Sequence, residues 1–399
     1  MEKVLQQMDK KAVENFRKYL RIPSVHPNVN YDDCVTFLRE QAADLNLLFN
    51  VYETCPKKPM VILTWIGKEP TLSSIMLNSH MDVVPVFEEK WIYKPFNADI
   101  DEEGNIYARG AQDVKSLGIQ YLEAIRRLKQ DGFVPRRTLH VSFAPEEELG
   151  GVEGMKVFVK TDYFRKMNVG FALDEGIPGE TEYWIYYGEK VKKNIVIYCP
   201  GTTGHASQLL ADTAGEKLTN ILKKFYEFRM EEKIKSEQAS STDDIITVNL
   251  TMIEGGIQNN VIPSQFTITF DARLPPTHDV KGFKNKIELW CKEAGNGVCM
   301  EDFDTTETTP ITILSNNPFW AAFENTVKKM NIALKTKILD ASSDAKYLRQ
   351  VGVPTLGFCP HLHTPNRAHQ HNEYMNINIF LHGIDSFCKI IPALSNVPQ

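Results

Sequence analysis

The sequence predicts an α/β protein in which a mixed, mostly parallel sheet is flanked by helices and interrupted by a smaller, ferredoxin-like α+β domain. Short apolar, β-rich segments alternate with amphipathic helical segments up to residue 189 and again from residue 309 of the 399-residue chain. Between these parts the strands alternate strictly between apolar and polar residues, which is typical of a sheet with one open face. We therefore assign residues 1–189 and 309–399 to one domain and residues 190–308 to an inserted domain.

The larger domain begins with a helix predicted over residues 9–20, where Val13, Phe16 and Leu20 share one face and Pro23 prevents its continuation. Strands are predicted over residues 60–65, 74–78, 138–144, 169–173 and 353–358, and further helices over residues 114–129, 319–330 and 377–391. This alternation predicts parallel strands joined by helical crossovers.

The inserted domain has a different pattern. Strands are predicted over residues 191–198, 245–252, 266–273 and 298–303, helices over residues 213–230 and 279–294, and a polar loop over residues 236–244. In the third strand Phe266, Ile268, Phe270 and Ala272 share one face. The order β-α-β-β-α-β is that of a split βαβ, ferredoxin-like unit.

Composition excludes several classes of protein. The 45 basic and 51 acidic residues give a net charge of −6, which argues against nucleic-acid binding because that requires a basic face. No apolar run approaches the ~20 residues of a membrane span, and the charged N-terminus lacks the apolar stretch of a signal peptide. The seven cysteines are scattered without a CxxC motif, so reduced thiols and a cytoplasmic location are expected.

Candidate functional residues follow the predicted strands. Ligands of open α/β sheets bind beyond the carboxyl ends of the strands, so the residues at these positions are informative. They are His80 and Asp82 after the second strand, Glu146, Glu147 and Glu148 after the third, and Asp174 and Glu175 after the fourth. Asp113 precedes a predicted helix, and a loop near the C-terminus contains His361, His363, His369 and His371.

The combination of these side chains predicts a metal site. Clustered carboxylates repel one another, and a cation relieves that repulsion. Two histidines with three or four carboxylates suit Zn²⁺, with two ions sharing a bridging carboxylate as one arrangement.

Each residue taken alone has a simpler explanation. Glu146–Glu148 could form a solvated acidic turn, Asp113 a helix cap, and Asp82 an Asx turn before Pro85. His369 and His371 could be surface loop residues. Taken together, these simpler explanations would require several coincidences at the strand ends, so the set as a whole favours a metal site.

Five stretches occur in the chain in the order NSHMDVVPV, YARGAQDVK, APEEELGG, ALDEG and AHQHNE. As a set they resemble a family of di-zinc amidohydrolases and exopeptidases that contains aminoacylases, carboxypeptidases and carnosinase-type dipeptidases. The resemblance extends from YLRIPSV near the start to the last predicted helix. The stretch GGIQNNVIPSQFTITFDARLPP resembles the aminoacylases more than the peptidases.

The resemblance implies a set of two Zn²⁺ ions per subunit and their ligands. His80 and Glu175 would bind one ion, Glu148 and His369 the other, and Asp113 would bridge them. His369 is chosen over His371 because the family motif places the ligand histidine four residues before a glutamate, here Glu373.

The resemblance also implies catalytic and substrate-binding residues. Glu147 would act as the general base, and Asp82 would orient His80 through its carboxylate. In the inserted domain, which serves the family as a lid and dimerisation surface, His205 of the GxxGH motif would assist the developing oxyanion and reach a partner subunit's site. Asn260 and Arg273 would hold the substrate.

The lid residues also have structural interpretations. From the residues alone, Arg273 could face solvent on an alternating strand, and His205 could be a structural residue in a glycine-rich turn. The chain departs from the family at Thr203, where relatives usually have proline, at Lys346, where arginine is expected, and at Asn372, where aminoacylases often have aspartate.

The resemblance implies zinc-dependent hydrolysis of N-acyl-L-amino acids to a carboxylate and a free amino acid. A guanidinium at Arg273 would match the α-carboxylate of such a substrate. The expected protein is a cytoplasmic homodimer of amino-acid metabolism, with no nucleic-acid or membrane partner. A dipeptidase or carboxypeptidase with the same metals is the alternative enzyme. A non-catalytic metal-binding protein is a further alternative, against which the intact Glu147 and ligand set argue.

Overall fold

The computed structural model describes residues 2–305 and 309–398. The chain divides into two compact units, the first comprising Met1–Gly188, Ile311–Thr336 and Ser343–Gln399 and the second Glu189–Pro310 and Lys337–Ser342. The predicted boundary at residue 308 lies outside the described residues. The sequence pattern did not indicate that Lys337–Ser342 would group with the second unit.

Helices and strands alternate along most of the chain. The helices are α1 (Glu2–Leu20), α2 (Asp32–Asp44), α3 (Lys115–Gln130), α4 (Met155–Phe158), α5 (Asp162–Met167), α6 (Ala214–Gln238), α7 (Val280–Ala294), α8 (Pro318–Lys329), α9 (Ala345–Gln350) and α10 (Ile377–Ser395). The strands are β1 (Leu48–Cys55), β2 (Lys58–Trp65), β3 (Ser74–His80), β4 (Asp99–Ile100), β5 (Asn105–Tyr107), β6 (Leu139–Ala144), β7 (Val169–Asp174), β8 (Glu182–Glu189), β9 (Val191–Pro200), β10 (Gly204–His205), β11 (Thr247–Gly255), β12 (Val261–Ile262), β13 (Gln265–Leu274), β14 (Cys299–Met300), β15 (Ala333–Leu339), β16 (Thr355–Phe358) and β17 (Tyr374–Asn376).

An eight-stranded sheet in the order β1-β2-β6-β3-β7-β16-β8-β15 confirms the predicted α/β class. Its central strands β6, β3, β7 and β16 are parallel, whereas β1, β2 and β8 pair antiparallel with their neighbours. His80 at the end of β3 pairs with Ala144 at the end of β6. The polar residues that follow these strands therefore emerge at one edge of the sheet.

Helices cover both faces of this sheet because its strands are apolar on both sides. On β2, Val61 and Leu63 belong to the core that includes α1, α3 and α10, while Met60 and Ile62 pack with α4 and α5 on the opposite face. Burying each such aliphatic side chain contributes ~1.5–3 kcal/mol before entropy is counted. The strands are consequently held firmly up to their ends.

Helix α10 was expected to end at residue 391 but continues through Pro392 to Ser395. In length and composition it could cross a membrane, contrary to the expectation that no run is long enough. Its apolar face lies in the main core, where Phe380 stacks on Phe16 with 4.4 Å between the ring centroids. These are contacts of a core helix.

The second unit contains a four-stranded antiparallel sheet in the order β11-β13-β9-β14. With α6 after β9 and α7 after β13, this order is that of the predicted ferredoxin-like unit. The largest differences from the predicted bounds are at α6 and β14. A capping box of Thr213 and Glu216 begins α6, which extends to Gln238 into the predicted loop, and β14 comprises only two residues rather than 298–303.

Candidate metal centre and active site

Five predicted side chains meet at the carboxyl edge of the large sheet. The Nε2 atom of His80 lies 3.1 Å from Oδ1 of Asp113 and 3.7 Å from Oε2 of Glu175. The Nε2 atom of His369 lies 3.1 Å from Oδ2 of Asp113 and 2.9 Å from Oε2 of Glu148. Asp113 thus presents one oxygen to each histidine and belongs to both groups.

The two groups have the dimensions and donors of metal sites. Within His80, Asp113 and Glu175, and within Asp113, Glu148 and His369, the potential ligand atoms all lie within 4.8 Å of one another. The Oε1 atom of Glu148 is buried and has no hydrogen-bond partner among the described residues. Imidazole and carboxylate are the donor set that Zn²⁺ accepts. The residues therefore fit a divalent metal ion in each group.

The electrostatics point in the same direction. Burial and nearby carboxylates raise the pKa of Glu175 to about 8, and burial raises the pKa of Glu148. Burial opposes the charging of His80, but the Glu175 carboxylate and the hydrogen bond to Asp113 outweigh it and raise its pKa. Hydrogen bonds to Asp113 and Glu148 raise the pKa of His369 to about 10. These carboxylates are held in a crowded site that a cation would stabilise.

Two simpler explanations of these residues are wrong. Helix α3 begins at Lys115 with Val114 as its N-cap, so Asp113 does not cap it. The side chains of Glu147 and Glu148 are only 11% and 5% exposed, so the acidic turn is not a solvated one.

The carboxylate of Asp82 lies closer to the turn of Glu147 and Glu148 than to His80. The Nδ1 atom of His80 contacts the main-chain oxygen of Asp82 at 2.9 Å, whereas the nearer carboxylate oxygen is 3.7 Å away. The buried carboxylate instead accepts the main-chain N–H groups of Glu147 and Glu148 at 3.2 and 3.1 Å and contacts Nε2 of His26 at 2.8 Å. Asp82 therefore fixes the turn that carries Glu147 and Glu148.

This turn is tightly constrained. Glu147–Leu149 form a single 3₁₀ turn between Glu146 and Gly150, which both adopt left-handed backbone conformations. Gly151 follows with φ +68°, and a Cβ atom there would lie 2.3 Å from Oδ1 of Asp344. The turn brings Oε2 of Glu147 within 3.8 Å of Nε2 of His80. Burial, followed by the Glu175 carboxylate, raises the pKa of Glu147 well above its usual value.

The histidines of the C-terminal loop occupy different environments. His361 is buried between Sγ of Cys359 at 3.0 Å and Oε1 of Gln120 at 3.1 Å, and burial lowers its pKa to about 3. His371 lies with its ring edge against Phe87. Among the described residues, the potential metal-binding groups include His369 and neither of these.

The three predicted residues of the second unit lie on β10, in the turn before β12 and on the long strand β13. His205 is exposed on β10, with its Nδ1 atom 2.7 Å from Oγ of Ser207. The main-chain oxygen of Asn260 accepts the N–H of Ala206 at 3.0 Å. Arg273 on β13 pairs with Asp271 at 2.7 Å. No structural observation assigns these residues to the substrate.

The departure from the family at Thr203 has a local compensation. Its hydroxyl donates to the main-chain oxygen of Ile262 at 2.6 Å, which ties the loop to β12. A hydrogen bond thus restrains the loop where relatives have proline.

Two supporting residues were missed. His26 contacts Asp82, and the side chain of Gln112 joins the loops that carry Asp113 and His369 by donating to the oxygens of Pro365 and Tyr374. The only sequence signal for Gln112 is its position beside Asp113. Nothing in the local pattern marks His26, which lies 56 positions from its partner.

The fold and site define the class of protein. The profile of peptidase family M20/M25/M40 matches residues 76–393, and the chain belongs to this family. The protein is therefore a hydrolase that acts on amides and uses a divalent metal. Over 96% of this chain and 99% of the other, the fold also matches an M20 family metallo-carboxypeptidase from Sulfolobus solfataricus, with a TM-score of 0.74 and 18% identity.

Within this family the predicted resemblance to aminoacylases is confirmed. The chain is 44% identical over 393 residues to aminoacylase-1A of Rattus norvegicus, with 97% of this chain and 96% of the rat protein covered. It is 43% identical to aminoacylase-1 of Mus musculus over the same shares of the two chains.

Proposed function

We propose that this protein hydrolyses N-acyl-L-amino acids to a carboxylate and a free L-amino acid. The observation that carries the proposal is the pair of potential metal-binding groups that share Asp113, in a chain 44% identical to an aminoacylase. Amide hydrolysis requires a polarised carbonyl, an activated water and a proton for the leaving nitrogen. The site contains residues suited to each of these tasks.

We propose that the metal is zinc, with two ions per subunit. His80 and Glu175 would hold one ion, Glu148 and His369 the other, and Asp113 would contribute an oxygen to each. When bound, zinc supplies Lewis-acid chemistry that polarises a carbonyl and makes water more acidic.

Glu147 is the proposed general base. Its carboxylate lies beside the metal-binding groups without belonging to either of them. It would accept a proton from the attacking water and return it to the leaving nitrogen, which must be protonated before the C–N bond breaks. The fixed turn keeps its carboxylate in reach of the reacting atoms.

Roles in substrate binding are proposed for the second unit. His205 would donate to the developing oxyanion, and Arg273 would pair with the substrate α-carboxylate. Because Arg273 already pairs with Asp271, the substrate would compete for its guanidinium. Arg273→Ala should then raise KM, and unchanged kcat and KM would remove Arg273 from the proposal. Homodimerisation through this unit, a cytoplasmic location and a role for Asn260 follow from the resemblance and remain proposals.

The test compares N-acetyl-L-methionine with dipeptides as substrates, using wild type and Glu147→Gln with zinc content measured on both. Wild type should cleave the acyl amino acid, and Glu147→Gln should lose ~10²–10⁴-fold in kcat while retaining its zinc. Glu153→Gln is the control, because Glu153 lies on the same loop with its side chain 55% exposed. Cleavage of dipeptides alone would establish a peptidase, and absence of bound metal would refute the site.

A further inference from the structure

We propose that the buried pair Arg109–Glu373 positions Asp113 and His369 and thereby sets the affinity of the second metal group for its ion. The second metal group is the one formed by Asp113, Glu148 and His369. The proposal rests on the proposed function, since it uses the assignment of Asp113 and His369 as ligands. Neither Arg109 nor Glu373 belongs to the metal-binding groups. Both act through the loops that carry the ligands, so they are positioning residues.

Glu373 anchors the loop that carries Asp113. Its side chain is fully buried, and Oε1 accepts the N–H groups of Gln112 at 2.6 Å and Asp113 at 3.2 Å. Its Oε2 atom accepts the N–H of Gly110 at 3.2 Å and a guanidinium N–H of Arg109 at 2.7 Å. One carboxylate thus accepts three main-chain N–H groups between Gly110 and the bridging ligand Asp113.

Arg109 extends the same anchor to the His369 loop. Its second guanidinium nitrogen donates to the main-chain oxygen of His369 at 3.2 Å, and its planar group lies 5.4 Å from the ring of Trp91. The main chain contributes a further tie, because the N–H of Ala108 donates to the oxygen of Glu373 at 3.1 Å. The pair therefore links the two loops at the positions of their ligands.

His369 needs this support more than His80 does. His80 ends a fully buried strand, and its side chain is 1% exposed. His369 lies in a turn with φ +63°, and its side chain is 55% exposed. A ligand in a loop has few packing contacts to hold it, so hydrogen bonds to its main chain determine where its imidazole lies.

A buried ion pair is a poor source of stability, because desolvation of the charges offsets their attraction. Arg109 is 2% exposed and its Nε atom has no partner among the described residues, which adds to the desolvation cost. The geometric precision that the pair confers on Asp113 and His369 accounts for its presence at this place.

The test measures zinc binding by the metal-free protein, with a chelator of known affinity as competitor. Arg109→Lys keeps the charge but loses the planar guanidinium that bonds Glu373 and the His369 loop from two nitrogens. Glu373→Gln keeps the shape but presents an amide to main-chain N–H groups. In both variants the ion of Asp113, Glu148 and His369 should bind ~10–100-fold more weakly. The ion of His80 and Glu175 should lose less affinity, because it shares only Asp113 with the disturbed loops. Excess zinc should restore kcat toward the wild-type value.

Two control variants make the same substitutions at buried charged residues that lie outside the metal-binding groups. Arg127→Lys disturbs a buried arginine that pairs with Asp9 and Asp385 at 2.7 and 2.6 Å, outside the metal-binding groups. Glu232→Gln disturbs a buried carboxylate of the second unit that accepts the N–H of Ile246 at 2.9 Å. Both should bind two zinc ions with wild-type affinity.

The outcomes separate this proposal from the proposed function. If wild type binds two ions and both variants bind them equally tightly while folded, the positioning role is overturned and the function stands. Equal weakening of both ions would also overturn it, because the group that contains both Asp113 and His369 should lose more affinity than the group that contains Asp113 alone. If neither variant folds, as judged by circular dichroism, the pair serves folding and the proposal fails. If wild type binds no zinc, the proposed metal site itself is wrong.

Discussion

The two halves of the candidate metal centre are built in different ways. His80 and Glu175 directly end or follow the buried parallel strands β3 and β7. Glu148 and His369 lie on a short turn and a loop. Asp82 accepts the main-chain N–H of Glu148, and Arg109, which is itself paired with Glu373, donates to the main-chain oxygen of His369. Core packing of the sheet thus holds His80 and Glu175, which we call the strand half of the site. A polar network holds Glu148 and His369, the loop half.

This difference determines where the site can be damaged. In the strand half, a ligand can be lost only by changing the ligand itself or the core beneath it. In the loop half, changes to residues that never contact the metal should still loosen a ligand. The predictions below are ordered by the size of the effect.

The largest effect is expected at the residue that the halves share. Asp113→Ala removes an oxygen from each group, so both zinc ions should bind weakly and turnover should fall by more than ~10⁴-fold, since metal and base act together. His80→Ala and His369→Ala should each weaken one ion. Metal analysis after dialysis checks the three variants, and retention of both ions by Asp113→Ala would exclude a shared ligand.

A smaller effect is expected when the pH is lowered, and it concerns the stability of the sheet that carries the strand half. Burial lowers the pKa of His140 on β6 to about 4 from 6.5, so the unfolded chain takes up this proton before the folded protein does. The contribution of His140 to the free energy of unfolding is fully present above pH 6.5. It should decrease by up to about 3 kcal/mol as the pH drops to 4. Urea unfolding of the metal-free protein at several pH values measures the loss, and His140→Gln should flatten the profile.

Asp82→Asn should affect the loop half selectively. The neutral side chain accepts the N–H groups of Glu147 and Glu148 less strongly, so the turn should loosen. We expect a ~10–100-fold loss in kcat/KM and in affinity for the second zinc. Competition with a chelator measures the affinity, and a larger loss for the ion of His80 and Glu175 would show that Asp82 acts through His80 instead.

Gly151→Ala should give the smallest effect, on stability. The backbone at φ +68° disfavours a side chain, and its Cβ atom would approach Oδ1 of Asp344 to 2.3 Å. A loss of ~1–3 kcal/mol in the free energy of unfolding is expected. Gly132→Ala, at φ +75° with open space around it, is the matched control for the backbone strain alone. Equal losses in the two variants would show that the contact with Asp344 costs nothing.

The strand half of the site could be predicted from the residues themselves. Apolar strands followed by His80 and Glu175 place these ligands at one edge of a sheet, because the carboxyl ends of parallel strands meet there. The loop half depended on the resemblance, since no periodicity distinguishes His369 from His371. The role of Asp82 could not be predicted, because its partners Glu147 and Glu148 lie more than 60 positions away.

The fold was predicted where periodicity was clear and missed where it was not. The spacing of apolar residues predicts α3 to within one residue at each end, although nearly all of this helix is buried and not one face alone. The alternation of β13 marks its buried face. Helix α2 was not predicted although its buried residues have helical spacing, and its N-cap Tyr31 makes no side-chain capping bond that would mark its start. The edge strand β1 is largely exposed, so it lacks the apolar pattern of its neighbour β2.

The central claim is that two metal sites share Asp113. An anomalous difference map recorded at the zinc absorption edge, from crystals of the zinc-loaded protein, tests it most directly. Two peaks should flank the Asp113 carboxylate, one among His80 and Glu175 and the other among Glu148 and His369. A single peak, or peaks that do not share Asp113, would contradict the account.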